Sequence, residues 1–257
     1  MNYNFHTHTY LCNHAEGTPE EYVLKAIEGG VKRMGFSDHM PHIFKNGFEA
    51  GYRIPVSKAK QYVKEITELK EKYKDQIEIL LGFEMEYFPE VFSEMLQNAV
   101  NYGAEYLIYG GHYVNENTYY IGQETYDAKI LEKYVSVVIS AIESGVFTYI
   151  AHPDLINYMG DIETYNEEMS KICKASAENN IPLEINFLGI RTNRIYPREA
   201  FWEIAGKYKC PVTFGFDAHD PEGACDLASL KKANQLVEKY GLNYIGEPKI
   251  IYIRDVM

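Results

Sequence analysis

Short apolar runs alternate along the chain with longer stretches whose apolar positions recur every three to four residues. Residues 2–6, 33–37, 78–84, 106–111, 148–151, 182–186 and 212–217 have the length and the β-branched or aromatic content of strands. A last apolar run, 250–253, predicts either an eighth strand or an edge pairing. Helical periodicity predicts amphipathic helices over residues 57–73, 89–102, 126–144, 165–180, 197–208 and 226–240. The first helix opens at Thr18-Pro19-Glu20-Glu21, with Thr as the cap, Pro in the first turn and Glu three residues on, and it stops at Gly29-Gly30. Lys60, Lys64, Glu65, Glu68, Glu71 and Lys72 form the solvated face of the second.

Strand and helix in steady alternation imply parallel strands joined by right-handed crossovers. Around seven such units in 257 residues favour a closed, distorted α/β barrel over an open doubly wound sheet. The turn after the first strand carries no Gly-rich phosphate loop, which further weakens the open nucleotide-binding sheet. With no Pro/Gly/Ser-rich linker, residues 1–257 are read as a single domain of the TIM-barrel-like type.

Composition narrows the function. Hydrophobic residues make up 46% of the chain and charged ones 24%, a globular balance. Against 37 Asp and Glu stand 25 Lys and Arg, a formal net charge of −12. Such a surface repels nucleic-acid backbones and anionic lipid, so neither nucleic acid nor membrane is an expected partner. The four cysteines, Cys12, Cys173, Cys210 and Cys225, form no Cys-x-x-Cys pair and read as reduced thiols. No signal-peptide pattern opens the chain and no apolar window reaches the ~20 residues of a membrane span. A cytoplasmic protein is expected.

In a barrel of this kind, chemistry collects at the C-terminal ends of the strands. Six of the eight histidines lie at or just past a predicted strand end: His6, His8, His39, His112, His152 and His219. His6 and His8, two apart in a strand, project to the same face. The third strand ends in a carboxylate, Glu84, the seventh in Asp217, and His14 follows in the loop after the first strand. His42 lies beside Pro41 in a loop and reads equally as a surface residue or a substrate contact. Imidazole suits zinc, iron and related transition metals, and a carboxylate can bridge two cations. His6, His8, His14, His39, Glu84, His112, His152, Asp217 and His219 exceed what one tetrahedral ion uses and would fill two or three sites. Metals ~3.5–4 Å apart can clamp a phosphate and lower the pKa of a bound water towards ~7. A positive centre inside an acidic shell favours a small phosphorylated metabolite as substrate.

His6-Thr7-His8-Thr9, Ser37-Asp38-His39, Gly82-Phe83-Glu84, Gly111-His112, Ala151-His152-Pro153-Asp154 and Phe216-Asp217-Ala218-His219 resemble the motifs of the PHP (polymerase and histidinol phosphatase) superfamily. The resemblance implies a distorted (β/α)7 barrel with a trinuclear centre of divalent zinc, manganese or iron. By position, His6, His8, Glu84 and Asp217 would hold one metal. Glu84, as a bridge, with His112 and His152 would hold the second, and His14, His39 and His219 the third. A metal-bridging hydroxide would attack phosphorus in line, with Glu84 and Asp217 as catalytic carboxylates.

Glu184-Ile185-Asn186-Phe187-Leu188-Gly189-Ile190-Arg191 and Tyr196-Pro197-Arg198 look like the corresponding part of the histidinol-phosphate phosphatases of histidine biosynthesis. That resemblance implies hydrolysis of L-histidinol phosphate to L-histidinol and phosphate. Arg191, Arg198 and Arg53 are the candidate phosphate contacts, because a planar guanidinium forks onto phosphate oxygens. Arg53 lies in the segment 48–55, which could form a flap; Arg194 reads as a surface residue. His42 and Asp220 are candidates for protonating the leaving alkoxide, and Tyr113 and Tyr87 for orienting ligands. Cys12 reads as a packed small residue and Trp202 as helix packing. Two alternatives keep part of this reading. One is a phosphoesterase of the same family acting on nucleotides or phosphotyrosine. The other is a C–N-cleaving barrel metallohydrolase, which usually carries a bridging Lys where this chain has Glu84.

Overall fold

The βα rhythm is realised in the computed structural model, which describes residues 1–115 and 120–257. Eight parallel strands neighbour one another in chain order. They are β1 (Tyr3–Asn4), β2 (Arg33–Phe36), β3 (Glu78–Met85), β4 (Tyr106–Gly110), β5 (Ile150–Ala151), β6 (Leu183–Asn186), β7 (Pro211–Gly215) and β8 (Asn243–Tyr244). The helices are α1 (Pro19–Glu28), α2 (Ala59–Lys72), α3 (Phe92–Asn101), α4 (Ala128–Ser144), α5 (Ile162–Asn179), α6 (Phe187–Arg191), α7 (Glu199–Tyr208) and α8 (Leu227–Tyr240). Among the described residues no helix is long and apolar enough to cross a membrane.

Closure occurs at the C-terminal mouth. Beyond β1 and β7 the backbones pair at Thr7 and Ala218, with the His8 N–H donating to Ala218 O at 2.9 Å and the Ala218 N–H to His6 O at 3.1 Å. At the base β8 instead flanks β7, and Tyr244 Oη lies 3.2 Å from Tyr3 Oη on β1. Seven strands therefore close around the mouth while an eighth wedges the bottom open, and that is the distortion.

The expected eighth strand at 250–253 is not there. Tyr252 makes one antiparallel bridge to Tyr106, and Ile250 joins Tyr3, Phe5, Leu80, Tyr106, Ile108, Tyr149 and Ala151 inside the barrel. The run is apolar because it plugs the base, whereas β8 forms at Asn243–Tyr244, where the chain leaving α8 turns back along β7.

Alternation within the strands sets up the site. On β3, Leu80 faces the barrel interior while Ile79, Leu81, Phe83 and Met85 pack into the helix-facing core, so Glu84, in step with Leu80, points into the mouth. The same parity puts Glu184 and Asn186 inside on β6, opposite Leu183 and Ile185.

Candidate metal centre

Glu84 is the hub of the mouth. Its Oε1 lies 2.8 Å from His152 Nε2 and 3.7 Å from both His6 Nε2 and His112 Nε2. Its Oε2 lies 2.9 Å from His39 Nδ1 and 3.6 Å from His8 Nε2. A Cβ on Gly110 would come 2.0 Å from Oε1, so β4 must be bare there for the carboxylate to fit. Asp217 Oδ1 stands 3.2 Å from His8 Nε2, 3.6 Å from His6 Nε2 and 3.2 Å from His219 Nδ1. His14 Nε2 and His219 Nε2 face each other at 2.8 Å on the solvent side. All nine expected ligands thus converge.

The donor set fits divalent cations. The Nε2 atoms of His6 and His8, Oε2 of Glu84 and Oδ1 of Asp217 are buried polar atoms with no hydrogen-bond partner, an arrangement whose cost a cation removes. Ligands ~2.0–2.1 Å from a shared cation stand about 3.4 Å apart in a tetrahedron, which is the spacing of these atoms. Three overlapping triads have all ligand atoms within 4.8 Å of one another: His6, His8 and Glu84; His6, His152 and Asp217; His8, His39 and His219. His39 thus sits between the two sides, 2.9 Å from Glu84 Oε2 and in a triad with His8 and His219 that leaves out His14.

Electrostatics agrees. Burial opposes the charged form of Glu84, yet the surrounding imidazoles, His112 and His39 first, hold its carboxyl well below the usual range. Asp217 is held down in the same way by His6 and His219. Burial alone would depress His6, but the carboxylates of Glu184 and Asp217 outweigh it and push it up to about 10. His219, in contrast, is pushed down to about 4 by burial and by the neighbouring His8. Positive charge is wanted beside His6 and unwanted at the rim. His152 at φ 30° and Asp217 at φ 46° sit in the left-handed region that non-glycine residues avoid, so two ligands are presented by strained backbone.

Behind the ligands stand three residues that lie within the sequence motifs without a role assigned to them. Asp38 holds His8 Nδ1 at 3.3 Å and accepts the backbone N–H of Thr9 at 2.9 Å. Glu184 holds His6 Nδ1 at 2.7 Å, and Asn186 donates to Asp217 Oδ2 at 3.0 Å. The available signal was polar residues at alternate positions of otherwise apolar strands.

The expected substrate contacts are redistributed. Arg191 donates to the carbonyls of Phe216 at 2.7 Å and Asp217 at 2.6 Å, so it braces the Asp217 loop from behind. Arg198 stacks on Tyr165 at 3.8 Å and donates to Tyr158 O at 2.8 Å. His42 packs on the rings of Phe44 and Phe88, 5.0 and 5.7 Å away, and Asp220 Oδ1 accepts the Gly223 N–H at 2.7 Å. Neither is among the residues lining the cavity over the ligands, and neither are Arg191 and Arg198. That cavity, about 430 Å³, is walled by Tyr52, Tyr113, Tyr120, Tyr196, Leu155 and Leu188, and among the described residues its one lining arginine is Arg194. Tyr87 instead packs against Phe92 at 4.2 Å. Cys12 is buried, and its thiol falls within reach of His14 and His219. Trp202 is buried and donates to Asp154 Oδ2 at 3.0 Å.

Arg53, expected as a substrate contact on a flap, is fully buried and bonded within the chain. It donates to Met40 O at 2.9 Å, Tyr52 Oη at 2.7 Å and Glu86 Oε1 at 2.8 Å, and Glu86 in turn lies 3.6 Å from His112 Nδ1. Against the cost of burial, Arg53 holds the Glu86 carboxyl down at about 2. Arg53→Met strips that buried carboxylate of its full cationic partner, leaving the Tyr52 hydroxyl at 2.8 Å and His112, and should cost roughly 3 kcal/mol at neutral pH. Because the folded-state pKa is depressed, the pair stabilises fully above the ordinary carboxylate range, and its contribution fades as pH falls towards about 2. Urea titrations of both proteins should therefore show a gap that narrows in acid.

Comparison with known proteins gives one consistent neighbourhood. The model of the PHP domain family matches residues 4–187. A probable histidinol-phosphatase from Deinococcus radiodurans is 28% identical over 226 residues, 84% of this chain and 85% of that protein. The histidinol-phosphatase of Lactococcus lactis is 26% identical, covering 95% of this chain and 93% of the relative. A crystal structure of histidinol phosphate phosphatase from Lactococcus lactis, complexed with zinc, L-histidinol and phosphate, superposes with a TM-score of 0.70. It covers 94% of both chains at 22% identity, a likeness of fold.

Proposed function

The chain belongs to the PHP domain family, and from that premise we propose that it is a metal-dependent histidinol-phosphatase, hydrolysing L-histidinol phosphate to L-histidinol and phosphate. One observation carries the reading: Glu84 meets five imidazoles with its two oxygens at the floor of a cavity sized for a small phosphorylated metabolite. The activity named for the relatives that span most of the chain supports the same substrate.

Two or three divalent cations, zinc, manganese or iron, would be held by His6, His8, Glu84 and Asp217, by Glu84, His112 and His152, and by His14, His39 and His219. When bound, such cations neutralise phosphate oxygens and lower the pKa of a coordinated water. The chain's own residues do the rest. Glu84 and Asp217 fix the ligand geometry and remain anionic at neutral pH, their carboxyls held well below the ordinary range by the imidazoles around them. Arg194, 3.0 Å from Tyr196 Oη at the cavity wall, is placed to fork onto phosphate oxygens. Tyr52, Tyr113 and Tyr120, with ring centroids 5.8 and 6.1 Å apart in succession, offer flat apolar faces to an imidazole ring and exclude water around it.

Phosphate release from L-histidinol phosphate should exceed release from a nucleoside monophosphate, phosphotyrosine and glycerol phosphate. In the same assay Arg194→Met should lower kcat/KM about 10–100-fold, the worth of a charge-assisted hydrogen bond. Preference for any other member of the panel would reassign the substrate.

A further inference from the structure

Glu184 lies fully buried beneath the ligands, on β6, and belongs to none of the expected ligand sets. Building on the metal-centre reading above, we propose that Glu184 is a positioning residue whose carboxylate sets the metal affinity of the His6–Asp217 side of the centre.

Its contacts join four strands. Oε1 accepts from His6 Nδ1 at 2.7 Å, beyond β1. Oε2 accepts the backbone N–H of His152 at 3.0 Å, beyond β5, and one amide hydrogen of Asn186 at 2.9 Å, on β6. The other hydrogen of that amide reaches Asp217 Oδ2 at 3.0 Å, beyond β7. The Asn186 Oδ1 accepts the Gly189 N–H at 3.0 Å, which fixes which way the amide faces.

Two consequences follow from who donates. With Nδ1–H held by Glu184, His6 aims Nε2, an atom with no hydrogen-bond partner, at the cluster as the nitrogen left to meet a cation. With Oδ2 held by Asn186, Asp217 likewise presents an unpartnered Oδ1. Every partner of Glu184 is a donor, so an amide at this position cannot serve both oxygens: its NH2 must face a donor. Space for the carboxylate is created across the barrel, because a Cβ on Gly215 would fall 1.5 Å from Oε1. Gly215 touches no ligand in this scheme, yet adding one methyl there must displace Glu184.

Two variants of the full chain test this. Glu184→Gln is isosteric and breaks the donor pattern; Gly215→Ala leaves every ligand and Glu184 itself in the sequence and removes only the space. Both should bind at least one zinc equivalent about 10–100-fold more weakly in competition titrations with a chromophoric chelator. Each metal-free variant should still fold cooperatively, with a lowered melting temperature from the overlap or the mismatched amide, and activity should recover at saturating zinc. Wild-type zinc affinity in either variant overturns the proposal, and so does failure of both to fold, which would make the role purely structural. A wild-type chain that takes up no zinc would instead sink the metal-centre reading. Weaker zinc binding in a protein that prefers another phosphate ester would leave the Glu184 inference standing without the substrate.

Discussion

Glu84→Gln is expected to lower kcat by about 10³-fold or more while leaving the barrel folded. The side chain keeps its shape, so the change isolates charge. Its oxygens lie 2.8–3.7 Å from ring nitrogens of His6, His8, His39, His112 and His152. No other side chain is shared so widely among the candidate ligands. A neutral amide offers one acceptor in place of two anionic oxygens and turns an NH2 towards either the His152 and His112 side or the His39 and His8 side. Losing a bridging anion costs the several kcal/mol that cation-mediated charge stabilisation supplies, and each 1.36 kcal/mol is tenfold in rate. Steady-state kinetics with elemental analysis of the same sample checks this: bound metal should fall along with the rate. A variant within tenfold of wild type would show that Glu84 is not the bridge.

Why Glu84 could be read from the sequence, while the cavity-lining position of Arg194 could not, is a matter of local against distant geometry. A strand one residue out of phase exposes its whole apolar face, so the parity of Leu80, Gly82 and Glu84 is fixed by local sequence. The same rule placed His6 and His8 side by side, and the boundaries expected for the first seven strands fall within about two residues of those observed, whereas the eighth starts seven residues before the run expected to form it. Arginines on loops obey no such rule. Arg191 ends the short helix α6, for which the sequence offers no helical period; there it meets the carbonyls of Phe216 and Asp217, contacts made across 25 and 26 residues of chain. Arg194 reaches the cavity because Asn193 turns the chain at φ 52° just before it. The burial of Arg53 is not legible locally, because its partner Glu86 lies 33 residues away on the next strand's extension. Glu184 and Asn186 stood at alternate positions of a buried strand, and a carboxylate there implies a buried partner. Only the fold shows that the partner is His6.

Removing metal should be as damaging as removing Glu84, and it should also soften the fold. Treatment with a strong chelator is expected to abolish phosphate release, and stoichiometric zinc or manganese to restore it. A cation binding only the folded chain at a thousand times its Kd contributes about 4 kcal/mol, which for a chain of this size corresponds to a rise of roughly 8–16 °C in Tm. The effect also has a predictable pH dependence. In the metal-free chain the carboxylates around His6 hold its pKa at about 10, so at neutral pH the ring carries a proton that a cation must displace. Metal uptake therefore releases protons, and apparent affinity rises with pH up to about 10, by tenfold per unit for each proton displaced. Calorimetric zinc titrations in buffers of differing ionisation enthalpy measure that proton count directly. The acidic shell, net −12 over the chain, raises the local cation concentration and should make uptake weaken as salt is added. Uptake without proton release, or full activity after exhaustive chelation, would mean that the buried, partnerless atoms of His6, His8, Glu84 and Asp217 serve something other than a cation.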